Sequence, residues 1–476
     1  MLSHIERPDW RRLFGIAIML AGALTLSVPA GAWSLEDAAK PYAGTTIKCV
    51  GDGYAPFLAY QKLAAEKFTT VTGITVEWEV GDVGGGLRQK MIADAINKTS
   101  VYDCVELPSL DVGLWIAQGF AKPMYELLAD EKLHDPGFDP WTAYVPETLA
   151  FSSTEDGKIY GLPYHFIPRF MVVRTDLATC PSEQAAFKAK LGYDLPLKPA
   201  TWEQFTDVAK FFTRKAGDKL CDETLTEDFY GTAVSMKRHW ATQYDFELFL
   251  NGLGGTMFDG DGPLDTAEGF KSGGKVAFDS PVAVKAMEYW LSLLPFVPPG
   301  YLEYTWDNTY ADMCQGKLYT YPTWGDTTPF LETAGEGGCP KVAGKMTYYP
   351  VPGTNLTGAE GQAWLIPISS KHQEATFLFL QWLASFDVQK ECQKIGCTSP
   401  RKDVWFEHDF DGIGAVEITR WLIQNKKLIA RGHPVAMPEI STFLIDAVHT
   451  AGLGEKSAAA ALTEAAEKSR AAIAQQ

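Results

Sequence analysis

The sequence predicts an α/β protein built from more than one domain. Three observations carry this. Between Lys48 and Leu107 the pattern runs strand, helix, strand, helix, strand, the order of a parallel sheet with crossover helices. Beyond residue 32 the chain is about 440 residues long, too many for one core, so two or three domains are expected. The composition, 46% apolar and 21% charged, is that of ordinary globular domains.

The first 32 residues are read apart from the fold. Trp10-Arg11-Arg12-Leu13-Phe14 makes a positive start, Gly15 to Pro29 is apolar and uncharged, and Ala30-Gly31-Ala32 supplies small residues. That order is an export signal, with cleavage expected near Ala32. The apolar run is about 15 residues, short of the roughly 20 that span a bilayer. Arg11-Arg12 leaves general secretion and twin-arginine export both open. No cysteine closes the run, so no lipid anchor is expected. The chain is expected to work outside the cytoplasm.

Lys48 to Gly51 reads as a buried strand ending in the loop Gly51-Asp52-Gly53-Tyr54-Ala55. A helix follows, with Pro56 in its first turn and Phe57, Tyr60, Leu63, Ala64 and Phe68 on one face, and Gly73 ends it. Ile74 to Val80 alternates as a second strand. Leu87 to Asn97 is a helix, Tyr102 to Leu107 a third strand, and Asp111 to Gln118 the next helix. Phe170 to Val173 is a strongly apolar strand. Thr201 to Phe212 is a helix with Thr201 and Gln204 placed as a capping box. Gly252 to Gly262 is a loop. Pro281 to Leu294 and Trp306 to Met313 are helices, the latter leading to the strand Leu318 to Tyr321. Ala363 to Ile368 is a strand, and His372 to Ser385 and Glu455 to Ala474 are helices. No repeat is evident.

The net charge is −17, and about −18 without the leader, with no strong basic cluster. That excludes nucleic acid and anionic lipid as natural partners. No segment after the leader reaches 18 uncharged apolar residues, so a soluble protein is expected. The eight cysteines are Cys49, Cys104, Cys180, Cys221, Cys314, Cys339, Cys392 and Cys397. An even count in an exported chain favours disulfides, with over a hundred possible connectivities. Chain order suggests Cys49–Cys104, Cys180–Cys221, Cys314–Cys339 and Cys392–Cys397. There is no C-x-x-C and no H-x-x-x-H, so neither a metal nor another cofactor is expected.

Enzyme signatures are missing. There is no G-x-S-x-G elbow. Gly81-Asp-Val-Gly-Gly-Gly86 fits neither G-x-G-x-x-G nor the P-loop and reads as a turn. Asp and Glu are abundant, but no pair stands out for glycoside hydrolysis.

Four segments in order carry a resemblance: Lys158-Ile-Tyr-Gly-Leu-Pro-Tyr164 with its following strand; Met313-Cys-Gln-Gly-Lys-Leu-Tyr-Thr-Tyr-Pro-Thr-Trp-Gly325; Gly361-Gln-Ala-Trp-Leu-Ile-Pro-Ile-Ser-Ser-Lys-His-Gln-Glu-Ala375 running into Phe379-Leu-Gln-Trp-Leu383; and Gly396-Cys-Thr-Ser-Pro-Arg401. Together they resemble the family 1 extracellular solute-binding proteins, the sugar-binding components of bacterial ABC importers. The match covers nearly the whole chain after the leader. The resemblance implies a two-lobe periplasmic binding protein fold (type II), with crossing hinge segments and ligand in the interlobe cleft. It implies a first lobe over 45–165 and 350–372 and a second over 170–348 and 374–476. The cysteines and the stretch Asp194 to Thr226 are departures from the family pattern.

The implied function is periplasmic capture of a sugar, polyol or related small polar ligand by hinge closure, and delivery to an inner-membrane ABC permease. A monomer is expected. The alternatives are an extracytoplasmic glycan-active enzyme and a ligand-sensing or scaffold protein without transport. Sugars need aromatic faces for stacking and planar polar groups for paired hydroxyls, and the chain holds 14 Trp and 19 Tyr. Asp52 and Tyr54 follow the first strand and Ser109 and Asp111 the third, where open α/β sheets bind ligands. Ser109 or Asp111 could equally cap a helix. Tyr164, His165 and Arg169 lie where the chain first crosses between lobes. Trp324 and Asp326 follow the G–K–strand element, and Gln362 and Trp364 enter the returning segment. Arg401 ends the Gly396 turn, where a structural salt bridge competes with ligand contact. Trp240, Trp306 and Asn308 are weaker candidates. Arg169 and Arg401 leave an acidic sugar or phosphate-bearing polyol open.

Overall fold

The computed structural model describes residues 33–475 apart from 54, 82–85, 155 and 271–273, with the side chains of 55–57 also left aside. The expected leader, Tyr54 and Phe57's place on its helix face lie outside the described residues. From Ser34 onward the chain forms one compact unit.

Its sheet begins with β1 (Thr46–Gly51), β2 (Thr75–Val80) and β3 (Cys104–Pro108). β1 pairs in parallel with both neighbours, as the strand–helix alternation requires. β3 is buried at every position, which suits a strand covered on both faces. The connecting helix buries Tyr60, Leu63, Ala64 and Phe68, and Gly73 closes it with a φ of 71°.

The long strand β4 (Gly161–Arg174) ties the molecule together. A small hairpin of β5 (Lys219–Leu220) and β6 (Glu223–Thr224) stands apart. β7 (Thr320–Trp324), β8 (Met346–Tyr349), β9 (Thr357–Leu365) and β10 (Leu428–Ile429) complete the set. The main sheet runs β2-β1-β3-β9-β4-β7, with β10 on β9 and β8 on β4. The first part of β4, Gly161 to Pro168, pairs with β9. From Arg169 on it pairs with β7, and from Met171 also with β8. One strand thus serves two bodies, and the handover falls between Pro168 and Arg169.

Separate apolar clusters lie on either side of that handover. Val50, Leu107, Trp115, Ala363 and Leu365 pack under the first strands. Phe170, Val172, Leu318 and Tyr321 gather on one face beyond it. Met171, Phe205, Phe249 and Trp290 gather on the other, as the period of two dictates. The helix Trp202–Phe212 feeds that last cluster. Thr201 Oγ1 accepts from Gln204 N at 3.3 Å, while Gln204 Oε1 accepts from Ala200 N at 2.9 Å.

The helices Gln373–Leu383 and Phe386–Lys394 pack against the helical segment that follows β1. Phe379 meets Phe68 at 5.0 Å, and Gln389 Nε2 donates to Tyr60 Oη at 2.8 Å. Phe68 also meets Trp382 on the first of these helices, and Trp78 of β2 meets Phe379. Val351 is buried in one cluster with Trp202 and Leu250.

The cysteines pair as chain order suggests: Cys49–Cys104, Cys180–Cys221, Cys314–Cys339 and Cys392–Cys397. Cys49 and Cys104 are register partners on β1 and β3, with Cα atoms 4.6 Å apart. Among the described residues no helix is long and apolar enough to cross a membrane, and no group of three or more His, Cys, Asp or Glu could hold a metal ion.

Candidate functional site

A cavity of about 930 Å³ opens where the β4–β7 handover faces the carboxyl ends of β1 and β3. Its polar floor is set by strand register. Pro108 on β3 lies opposite Gln362 on β9, and Gln362 lies opposite His165 on β4. His165 Nδ1 and Gln362 Oε1 are 2.9 Å apart, which makes the ring nitrogen the donor. Burial holds His165 down at about 4, against the bond to Gln362, so the imidazole is neutral at pH 7.

Asp52 lines the cavity from the loop after β1. Its N–H donates to Glu106 Oε2 at 2.6 Å. Glu106 is fully buried in β3. Desolvation first, and then the Asp52 charge, push it up to about 8. Asp326, in the turn after β7, is raised to about 6 by burial, opposed by nearby backbone N–H groups. Its Oδ1 has no hydrogen-bond partner among the described residues.

The opposite wall is aromatic: Trp240, Tyr244, Trp306, Tyr310, Trp324 and Phe330. Tyr244 meets the Trp324 ring edge-on at 5.3 Å and 86°, and Trp306 meets it at 6.0 Å and 87°. Such edge contacts hold an indole in one orientation. His239 caps the helix Trp240–Gly252 by accepting from Ala241 N at 3.1 Å, and it packs on Trp306 at 4.6 Å. Arg238 at the rim is paired with Asp446 at 2.7 Å.

Asp52, His165, Trp324, Asp326 and Gln362 therefore share one cavity, and the weaker candidates Trp240 and Trp306 join them. Other candidates do not line it. Arg169 stacks on Trp324 and pairs with Asp245 at 2.5 Å. Trp364 is buried against Tyr164 at 4.8 Å, and Tyr164 O accepts from Tyr60 Oη at 3.0 Å. Asp111 takes both prongs of Arg88, at 2.7 and 2.8 Å. Ser109 Oγ donates to Glu360 Oε2 at 3.3 Å. Arg401 is forked onto Asp403 at 2.9 and 2.6 Å and donates to Ala384 O, so the structural salt bridge is what forms. Glu360, Tyr244, His239, Asp307 and Asp446 line the cavity without having been singled out in the sequence. Glu360 stands next to Gly361, where a quoted motif begins, and His239 precedes Trp240; adjacency was the available signal.

An aromatic wall thus faces a floor of carboxylates and an amide where the sheet changes partners, a lining chemically suited to a small polar ligand. The chain belongs to the bacterial extracellular solute-binding protein family, whose model matches residues 52–390. A solute-binding protein of an ABC transporter from Agrobacterium radiobacter K84, solved with ribitol, matches with a TM-score of 0.72 and 25% identity over 90% of this chain and 99% of that one. The maltose-bound MalE3 of T. maritima gives 0.69 at 18% identity, covering 90% and 99%. The mannitol-binding protein of Pseudomonas aeruginosa is 24% identical over 307 residues, 63% of this chain and 60% of that protein's length. The fold is the two-lobe binding-protein fold of these structures, and members of the family bind solutes rather than transform them.

Proposed function

We propose that the protein is exported to the periplasm, binds a neutral polyol or small sugar in this cavity, and passes it to an inner-membrane ABC permease. The observation that carries the reading is the lining itself. Asp52, Asp307, Asp326, Glu360 and Asp446 supply carboxylates, while Arg238 is the one arginine among the described lining residues and is spent on Asp446. Carboxylates accept paired hydroxyls, aromatic faces cover C–H surfaces, and the negative balance disfavours sugar acids and phosphates. Relatives that bind ribitol and mannitol support the same class.

In this reading Asp52, His165, Gln362, Asp326 and Trp324 contact ligand, and Arg169, Trp364 and Tyr164 shape the wall from behind. The first lobe comprises about 45–165, the returning β9 and the helices through Lys394; the second comprises about 170–348 and the C-terminal helices. Ligand that touches both lobes favours the closed arrangement by its differential affinity. Binding is reversible and no bond is cleaved. Trp240, Trp306 and Trp324 line the cavity, so intrinsic fluorescence titrated with D-mannitol and ribitol tests the reading. A saturable change with intact sugar recovered supports it; no response to any neutral sugar or polyol, or a hydrolysed product, counts against it.

A further inference from the structure

We propose that Arg431 and Gly358 are positioning residues for Glu360, holding its carboxylate at the cavity wall with one oxygen open to a ligand hydroxyl. The proposal rests on the reading that the cavity binds a polyol or sugar.

The arrangement starts from register. β10 pairs in parallel with β9, matching Ile429 to Gly358. Two residues further along each chain come Glu360, still on β9, and Arg431, just past the end of β10. Both side chains are buried, at 5% and 8% exposure. Arg431 forks between two carboxylates. Its Nη1 reaches both oxygens of Glu247, at 2.7 and 2.5 Å, and its Nη2 reaches Glu360 Oε2 at 3.0 Å. Ser109 Oγ donates to that same oxygen at 3.3 Å.

Both bonds thus fall on Oε2, and Oε1 takes none among the described residues. Oε1 instead occupies the space that Gly358 leaves free. A Cβ built at Gly358 would sit 2.8 Å from it. One side of the carboxylate is anchored, and the other is accommodated because residue 358 has no side chain. Arginine suits the anchor, since its rigid planar fork sends a separate arm to each carboxylate, a geometry that the single point charge of a lysine ammonium does not reproduce. The chain Ser109–Glu360–Arg431–Glu247 also joins the helix after β3, the crossing strand and the helix Trp240–Gly252, so the acceptor is fixed relative to both sides of the cleft.

Isothermal titration of the full chain with D-mannitol and ribitol tests this. Gly358→Ala is expected to weaken binding by about 10-fold or more, as loss of a hydrogen bond to a charged group does, with the ligand-free melting temperature close to wild type. In a Glu360→Ala background, where no carboxylate remains to displace, the same change should cost less than about 2-fold. Glu360→Ala still leaves Arg431 paired with Glu247. Arg431→Lys, which keeps the charge and loses the fork, should weaken binding about as much as Gly358→Ala. Wild-type affinity in Gly358→Ala and Arg431→Lys, or an equal loss from Gly358→Ala in both backgrounds, overturns the positioning role while leaving the cavity's function standing. Failure of the wild-type protein to bind any neutral sugar or polyol overturns the reading of the cavity and this proposal with it.

Discussion

Arg169 and Trp324 are register partners across β4 and β7, and the guanidinium carbon lies 4.3 Å from the indole centroid. The ring at the cavity wall therefore rests on a buried charge, which Asp245 neutralises while Asp245 itself accepts from Ser235 N at 2.8 Å. Removing the cation strands Asp245 in the interior. Arg169→Ala is expected to destabilise the fold by about 3–5 kcal/mol in urea unfolding. Trp324→Ala, which leaves that pair intact, should mainly abolish ligand binding.

Glu106 gives the stability a pH dependence of known sign. Its folded-state value of about 8 lies above the 4.5 of an ordinary glutamate. A raised value means that the contribution is present below about pH 4.5 and is lost as pH climbs through 8. Glu106→Gln cannot ionise and keeps an oxygen for the Asp52 N–H. The variant should melt like wild type near pH 4.5 and increasingly above it towards pH 8, by on the order of a few kcal/mol. Parallel melting curves at every pH would contradict this.

The disulfides should rank by the loops they close. Cys49–Cys104 spans 55 residues and Cys392–Cys397 only 5. Loop entropy alone makes the first worth about 4 kcal/mol and the second about 2. Replacing each pair by alanines and unfolding in guanidinium checks the order.

Gly361 packs where the crossing strands meet. A Cβ there would fall 2.3 Å from the His165 carbonyl oxygen, a backbone atom that cannot rotate away. Gly361→Ala should therefore push β9 off β4 beside the cavity. It should lower both the melting temperature and ligand affinity, unlike Gly358→Ala, which should lower affinity alone.

The sequence made the parallel half of the sheet legible because its strands and helices alternate with clear periods and glycine stops. It could not say on which side of the cleft the helix after His372 packs, since amphipathicity shows that a face is buried and not against what. Strand parity explains the uneven legibility of the site. His165, Ile167 and Arg169 share one face of β4, and Glu360, Gln362 and Trp364 share one face of β9. Which of them reaches the cavity is decided by neighbours: Trp324 stacks on Arg169, and Tyr164 packs on Trp364. Glu360 stayed hidden because the arginine that holds it lies 71 residues away. Arg401 drew attention as a charge in a turn, although its partner Asp403 is two residues on.

The most direct test of the central claim is a thermal-shift panel on the full chain: ribitol, D-mannitol, D-tagatose and maltose against gluconate and glycerol 3-phosphate. A neutral member present at a hundred times its dissociation constant should stabilise the fold by about 2.7 kcal/mol, a readily measured rise in melting temperature, while the anions leave it unmoved. A shift produced by the anions alone would contradict an acidic, hydroxyl-reading cavity.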